Sequence, residues 1–341
     1  MRWYVKAAIQ LGLSKLPGGT TLNEVLSRHF GEQQNVTDQV LNRLTVLTPL
    51  LLKAKSHVDL GSGIRAVEIG TGWTPVMPIL LGLHGVETVT FDVNRYLTVE
   101  NVRETLRAMR SRADDLAESL SLPRQHVTSR LEAALSSRGA LSDVLAPLRI
   151  RYEAPVNTTN LPVESGSAQL YLSNLVFAHI PPKALPMVLE DMHRILGEGG
   201  VALHRIRMTD ELVGGDLRYH EMNFLRYPGW FWERFANTKI KYNNRIRCSQ
   251  FKAAFEKAGL QLLDSLEDVD ERALDALRAG GVATEFRDMS LQDLATATMV
   301  GAWQKPGLLP LMSQISTLVD VGPSAQRQQD SGSLELDIRT R

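Results

Sequence analysis

The chain has 341 residues, 43% of them apolar and 22% charged, with 38 Lys and Arg against 38 Asp and Glu. That is the composition of a soluble globular protein, long for one domain and short for three, and a zero net charge gives no overall nucleic-acid footprint. The single cysteine, Cys248, excludes an intramolecular disulfide and a cysteine-cluster metal site, and fits a reducing, cytoplasmic setting.

The N-terminal "MRWYVKAAIQLGLSKLPGG" holds a short apolar run broken by Lys6 and Lys15, with no small-residue cleavage site. No stretch approaches the roughly 20 apolar residues of a membrane span, so an amphipathic helix packed on the domain is expected. Residues 1–60 read as a helical cap, with Val40, Leu41, Leu44, Leu47 and Leu51 near helical spacing. Pro49 is expected to bend or shorten that helix. Residues 61–206 alternate strand and helix. "RAVEIG" is a strand, and "TPVMPILLGLHG" a helix with Thr74 as N-cap, Pro75 in the first turn and Gly85 as stop. "ETVTFDV" is the second strand and "TVENVRETLRAMRSRADDLAESL" one long helix. "LRIRYEAP" and "SAQLYLSNLV" are the third and fourth strands. "KALPMVLEDMHRIL" is a helix stopped by "GEGG", and "VALHRIR" is the fifth strand. Such alternation predicts a parallel sheet with helices on both faces. Residues 207–248, rich in aromatics, Asn and Arg, read as an inserted lid. Residues 249–310 hold a helix capped by Ser249 and two late strands, "LQLLDSLED" and "TATMVGAWQK", that complete the sheet. The polar tail, 311–341, is expected to be disordered toward its end.

"AVEIGTGWTP" (66–75) poses the chemical question. A Gly-x-Gly turn between strand and helix lets a nucleotide-like ligand approach the backbone. In a nicotinamide-binding turn a third glycine permits close helix–strand packing, and an acid about 20 residues on holds the ribose. Gly70, Gly72 and Asp92 fit, but Pro75 stands at the third position. S-adenosylmethionine has a ribose and no pyrophosphate, so the third glycine is less needed. Glu68 suits its α-amino cation, and Asp92 its two ribose hydroxyls. A turn with no ligand remains the plain alternative.

"LPVESGSAQLYLSNLVFAHIPPKALPMVLEDMHRILGEGGVALHRI" resembles the fourth-to-fifth-strand region of class I, seven-strand S-adenosylmethionine-dependent methyltransferases. The resemblance runs through Leu161-Pro162, Ser167, the strand to Asn174, His179-Ile180, Arg194-Ile195-Leu196 and Gly199-Gly200. With "VEIGTGW" and "FDVN" it covers about residues 60–206, and the late helix and strand extend it to about 306. The chain departs from the family's pattern at Thr74 for the third glycine of its loop and at Ala168-Gln169 for an aromatic-Asp pair. Asn157 stands where an Asp often reaches the adenine amine. The resemblance implies an α/β, Rossmann-like, doubly wound, mostly parallel seven-stranded sheet. It also implies methyl transfer from S-adenosylmethionine, leaving S-adenosylhomocysteine, to a small-molecule acceptor of sugar or natural-product type, as in small-molecule biosynthesis. Oxygen is favoured over nitrogen as the atom methylated. Same-fold binding or non-methylating chemistry is the first alternative, and a nicotinamide-dependent oxidoreductase the less favoured one.

On that resemblance the cofactor residues are Glu68, Gly70, Thr71, Gly72, Trp73, Asp92, Val93, Asn157, Thr158, Ser173 and Asn174. The catalytic candidates are His179, His220, Asp210 and Tyr219; Tyr219-His220-Glu221 reads as a base beside its orienting carboxylate or equally as a solvated loop, and His179 as a base or as a packing residue at the cofactor's edge. Arg207, Glu221, Asn223, Arg226 and Trp230 are the candidate substrate contacts, and Arg205 and Trp232 lie in the same stretches. His204 reads as a core histidine, His193 as structural, and the aromatics of "NFLRYPGWFWERF" equally as a substrate lid or as the buried side of a covering helix. Ser173-Asn174-Leu175-Val176 is not the Asn-Pro-Pro-aromatic motif of adenine or glutamine methylation, and no cysteine follows the fourth strand for covalent cytosine chemistry. No metal spacing is evident, and neither a nucleic-acid partner nor a particular oligomeric state is implied.

Overall fold

The computed structural model describes residues 2–16, 36–214, 216, 218–238 and 240–307. The tail expected from residue 311 lies outside the described residues. Met1–Pro306 form one unit.

Helix α1 (Trp3–Lys15) packs on the 207–248 stretch, where Trp3 meets Tyr227 and Trp232 with ring centroids 5.2 and 6.1 Å apart. Helix α2 (Val36–Lys55) buries Val40, Leu44, Leu47, Leu50 and Leu51 and continues through Pro49 without ending. Pro49 and Thr45, whose carbonyl loses its helical donor to the proline, are both exposed. Strand β1 (Arg65–Ile69) leads through the glycine turn to α3 (Val76–Leu83), which is buried on all sides. The Thr74 hydroxyl does not cap α3: it is buried without a partner, and Pro75 is the cap residue.

After β2 (Glu87–Phe91) the expected long helix is two, α4 (Val99–Arg110) and α5 (Ala113–Leu120), parted by a turn at Ser111 and Arg112. Both pieces keep apolar stripes, so the periodicity alone did not show the break. The sequence reading also passed over α6 (Arg124–Ser136) and α7 (Leu141–Leu145), which precede β3 (Ile150–Glu153). Next come β4 (Ala168–Asn174), α8 (Leu185–Ile195) and β5 (Leu196–Arg207), a strand that takes in the "GEGG" read as a stop. The insertion contributes α9 (Gly229–Phe235). In α10 (Cys248–Lys257) Arg247 is the cap residue, while Ser249 lies inside the helix and bonds Asp293. Strand β6 (Gln261–Val269), two unforeseen helices, α11 (Glu271–Gly280) and α12 (Leu291–Ala295), and β7 (Thr296–Gln304) complete the chain.

The seven strands form one sheet in the order β3-β2-β1-β4-β5-β7-β6. Only β7 runs against the rest. Strand alternation serves two cores. Leu170, Leu172 and Leu203 face the α2–α7 side, while Val67, Ile69, Tyr171 and Ala202 face α8 and α10. This is the α/β, doubly wound, mostly parallel seven-stranded architecture expected from the sequence. The strand order reverses between β1 and β4, and in open sheets of this kind ligands bind beyond the carboxyl ends of the strands at such a point.

Candidate functional site

A cavity of about 520 Å³ lies at that reversal, lined by Gly70, Gly72 and Trp73 after β1, Asp92, Val93 and Tyr96 after β2, and Asn174, Leu175 and Val176 after β4. His179 and Arg205 close one end, and Asn42, Arg43, Val46 and Leu47 of α2 form the roof.

The turn is shaped by its glycines. Gly70 has φ +79°, and a Cβ there would collide with the Val176 side chain. Gly72, at φ +70°, donates its N–H to Asp92 Oδ2 at 3.1 Å. Beneath the turn Glu68 is buried and accepts from Thr71 Oγ1 at 2.9 Å and Thr90 Oγ1 at 2.7 Å. Burial pushes its carboxyl up to about 7 against those two hydrogen bonds. Burial likewise lifts Asp92 to about 6, opposed by the Gly72 N–H and by Arg43. Arg43 reaches from α2 to donate to the carbonyls of Thr71, at 3.3 Å, and Thr74, at 3.0 Å. Leu175, with φ 63°, holds a left-handed conformation that strains a branched side chain by roughly 1–3 kcal/mol, on the cavity wall.

At the other end His179 Nδ1 donates to the Tyr242 carbonyl at 2.8 Å, and its Nε2 is 3.6 Å from Glu211 Oε1. Glu211 also pairs with Arg207 and, at 2.9 Å, with Lys241. Burial works to raise its carboxyl, but Lys241, His179 and Arg207 together hold it at about 2, so it stays charged.

The structure thus gathers Gly70, Gly72, Trp73, Asp92, Val93, Asn174 and His179 around one space. Several of the expected contacts lie outside that lining. Glu68 and Thr71 brace the turn from below rather than lining the cavity. Ser173 is buried and bonds His204 Nδ1 at 2.8 Å. Asn157 is exposed and turns its oxygen to Thr159 N and Oγ1, with Thr158 beside it and outside the cavity lining. The aromatics of the insertion take the buried side of the two readings: Trp232, Phe224, Met222 and Tyr219 pack with Trp3 and Leu274 into a third core. His220 is buried there with Nδ1 accepting from Met222 N, and Asp210 is buried with Oδ1 accepting from Leu212 N. Asn223 is buried in that region, Trp230 is 71% exposed, Glu221 is exposed, and Arg226 lies beside Gly280. Arg207 is held by Glu211. His220, Asp210 and Tyr219 are not among the residues that line this cavity. Burial of apolar aromatics outweighed what their sequence neighbourhood suggested.

The sequence reading missed Arg43, Tyr96 and Glu211. Arg43 did leave a signal: it lies three residues after Val40 and four before Leu47, a charge on the packed stripe of its own helix. Glu211 left none, since its partners come from residues 179, 207 and 241.

No sequence model of a known family matches the chain, and no curated protein matches it. Solved structures do. A putative sarcosine dimethylglycine methyltransferase from Galdieria sulphuraria is 14% identical, covering 77% of this chain and 86% of its own, with a TM-score of 0.45. Geranyl diphosphate C-methyltransferase from Streptomyces coelicolor A3(2), solved with Mg2+, geranyl diphosphate and S-adenosylhomocysteine, is 11% identical over 79% and 83% of the two chains, with a TM-score of 0.42. The [4+2]-cyclase SpnF is 13% identical over 76% and 82%, also at 0.42. Likeness at that level assigns no role to a residue here, so roles rest on the cavity itself.

Proposed function

We propose that the cavity binds S-adenosylmethionine and that the protein is a methyltransferase for a small molecule, with oxygen the favoured acceptor atom. The observation that carries this reading is Asp92. Its carboxylate lies on the cavity wall at the end of β2, one oxygen held by the Gly72 N–H, with acceptor capacity left for a ribose diol. The residues fit that ligand in two further ways. Gly70 and Gly72 open the backbone beside it, and Trp73 and Tyr96, 5.1 Å apart, wall the cavity where a flat base would lie. Bound there, S-adenosylmethionine supplies an electrophilic sulfonium methyl group.

What remains for the chain is alignment, exclusion of water and removal of a proton. With Nδ1–H committed to the Tyr242 carbonyl, the unprotonated form of His179 keeps its lone pair on Nε2, 3.6 Å from Glu211 Oε1, in a residue that lines the cavity. Nε2 takes the proton of an acceptor hydroxyl, and the charged Glu211 stabilises the imidazolium formed. A base whose tautomer is fixed by the Tyr242 carbonyl favours a hydroxyl acceptor, whose proton is the harder to lose.

Calorimetric titration with S-adenosylhomocysteine and with NAD tests the reading. Micromolar binding of the first, lost in Asp92→Ala, is expected. Binding of NAD instead, or of neither, rejects it. Production of S-adenosylhomocysteine on turnover separates methyl transfer from binding alone.

A further inference from the structure

Three cations stand at the His179 end of the cavity with one carboxylate among them. Arg205 and Arg207 leave β5 on the same face, and Lys241 approaches from the insertion. Glu211 is fully engaged by Arg207, Lys241 and His179. Arg205, which lines the cavity, makes no ion pair among the described residues, and its one side-chain hydrogen bond is a long contact of 3.5 Å to Asn174 Oδ1. It is half-buried beside the Arg207 guanidinium, and the Asp268 carboxylate acts on it electrostatically without forming an ion pair with it. A planar fork of donors, short of close partners and lining a cavity, is matched by a carboxylate or a phosphate, which accepts two parallel N–H bonds. The walls next to it, Leu175, Val176, Val46 and Leu47, are apolar. Arg43 of the roof is bonded instead to the carbonyls of the glycine turn at Thr71 and Thr74.

Resting on the reading of this cavity as a methyltransferase site, we propose that the acceptor is a small organic anion with an apolar body, anchored through its carboxylate or phosphate on Arg205. The anion completes the charge pairing that the chain leaves open, and it sets the acceptor's hydroxyl beside His179 Nε2. Arg205 is then a specificity residue, selecting anionic acceptors over neutral and cationic ones of the same shape.

The test is calorimetry on protein first saturated with S-adenosylhomocysteine, titrated with benzoate, phenyl phosphate, benzyl alcohol and benzylamine. The two anions are expected to bind at least tenfold more tightly than the alcohol and the amine. Arg205→Gln is expected to weaken the anions by roughly tenfold to a hundredfold and to leave S-adenosylhomocysteine affinity within about twofold. Arg205→Lys, which keeps the charge but not the fork, falls between, and the melting temperature of each variant confirms that it is folded. Preference for phenyl phosphate over benzoate identifies phosphate as the anchored group, and the reverse identifies carboxylate. Equal binding of all four probes, binding of none, or an Arg205→Gln variant that binds anions like the parent overturns the inference. So does an Arg205→Gln variant that loses S-adenosylhomocysteine instead, since Arg205 would then serve the cofactor. Failure of the parent protein to bind S-adenosylhomocysteine in the first step refutes the cofactor reading, and that result is separate.

Discussion

Asp92 is a residue whose ligand role and stability role oppose each other. Its carboxyl sits at about 6 because burial disfavours the charge. At pH 8 the folded protein therefore holds a carboxylate that would be better solvated in the unfolded chain. Asp92→Asn keeps the shape and an acceptor for the Gly72 N–H, and removes the buried charge. The variant is expected to melt at a higher temperature than the parent at pH 8 while binding S-adenosylhomocysteine roughly a hundredfold more weakly, the loss for hydrogen bonds to a charged acceptor. Thermal denaturation and calorimetry on one preparation check both halves, and a variant that loses stability and affinity together contradicts the account. Gly70 makes a second case. Gly70→Ala meets the Val176 side chain and adopts an unfavourable φ. It is expected to lower stability by about 1–3 kcal/mol, and Gly70→Ala with Val176→Ala should recover the part due to the collision. No recovery in the double variant, measured by denaturant unfolding, assigns the whole loss to backbone strain.

The elements differ in how plainly the sequence announced them, and the difference follows from what each one buries. Strands β1, β2, β4, β5 and β7 carry runs of small and branched apolar residues bounded by glycines and acids, so period and punctuation agreed. Helices α6 and α11 bury only three residues each, Val127, Leu131 and Ala134 in one and Ala273, Leu274 and Leu277 in the other, and their polar majority hid them. The site divides the same way. The glycine turn and Asp92 are local features, legible because the chain must turn and must meet a ligand within a few residues. The His179–Glu211 pair and the Arg43 roof arise from packing across more than 25 residues of sequence, which no local pattern records. Helix α2 also gives a prediction of its own. Pro49 removes a backbone donor inside an otherwise continuous helix and is exposed. Pro49→Ala restores the bond to the Thr45 carbonyl and is expected to stabilise the protein by about 1–3 kcal/mol. A melting temperature unchanged or lowered by this substitution would mean that the proline ring itself is needed against α5.

Across the whole molecule, buried titratable groups set a stability profile with a maximum on the acid side of neutrality. Burial raises Glu68 and Asp210 to about 7 and Asp92 to about 6. For each, the folded state binds its proton more tightly than the unfolded chain does. The destabilisation is therefore fully present above the folded value and is relieved as pH falls through 7 and then 6. Burial lowers His204 to about 3 and, with help from Lys55, His84 to about 4. Their contribution is present above the ordinary histidine value near 6.5 and is lost progressively below it. Glu211, held at about 2, adds a loss only as pH falls below the ordinary glutamate range. Three carboxyls outweigh two histidines until the unfolded carboxyls also take up protons, so the ligand-free protein is expected to have its highest melting temperature at about pH 5, falling by several degrees up to about pH 7.5 and levelling off above it. Ligand affinity should run the other way, because Asp92 must be charged to accept two hydroxyl protons, so S-adenosylhomocysteine binding is expected to strengthen from pH 5 to 7 and then level off. Scanning calorimetry at constant ionic strength, with and without ligand, measures both. A melting temperature that climbs steadily to pH 8 without ligand would show that these carboxylates are solvated in the folded protein, and would remove the physical basis for placing Asp92 in a closed, ligand-sized cavity.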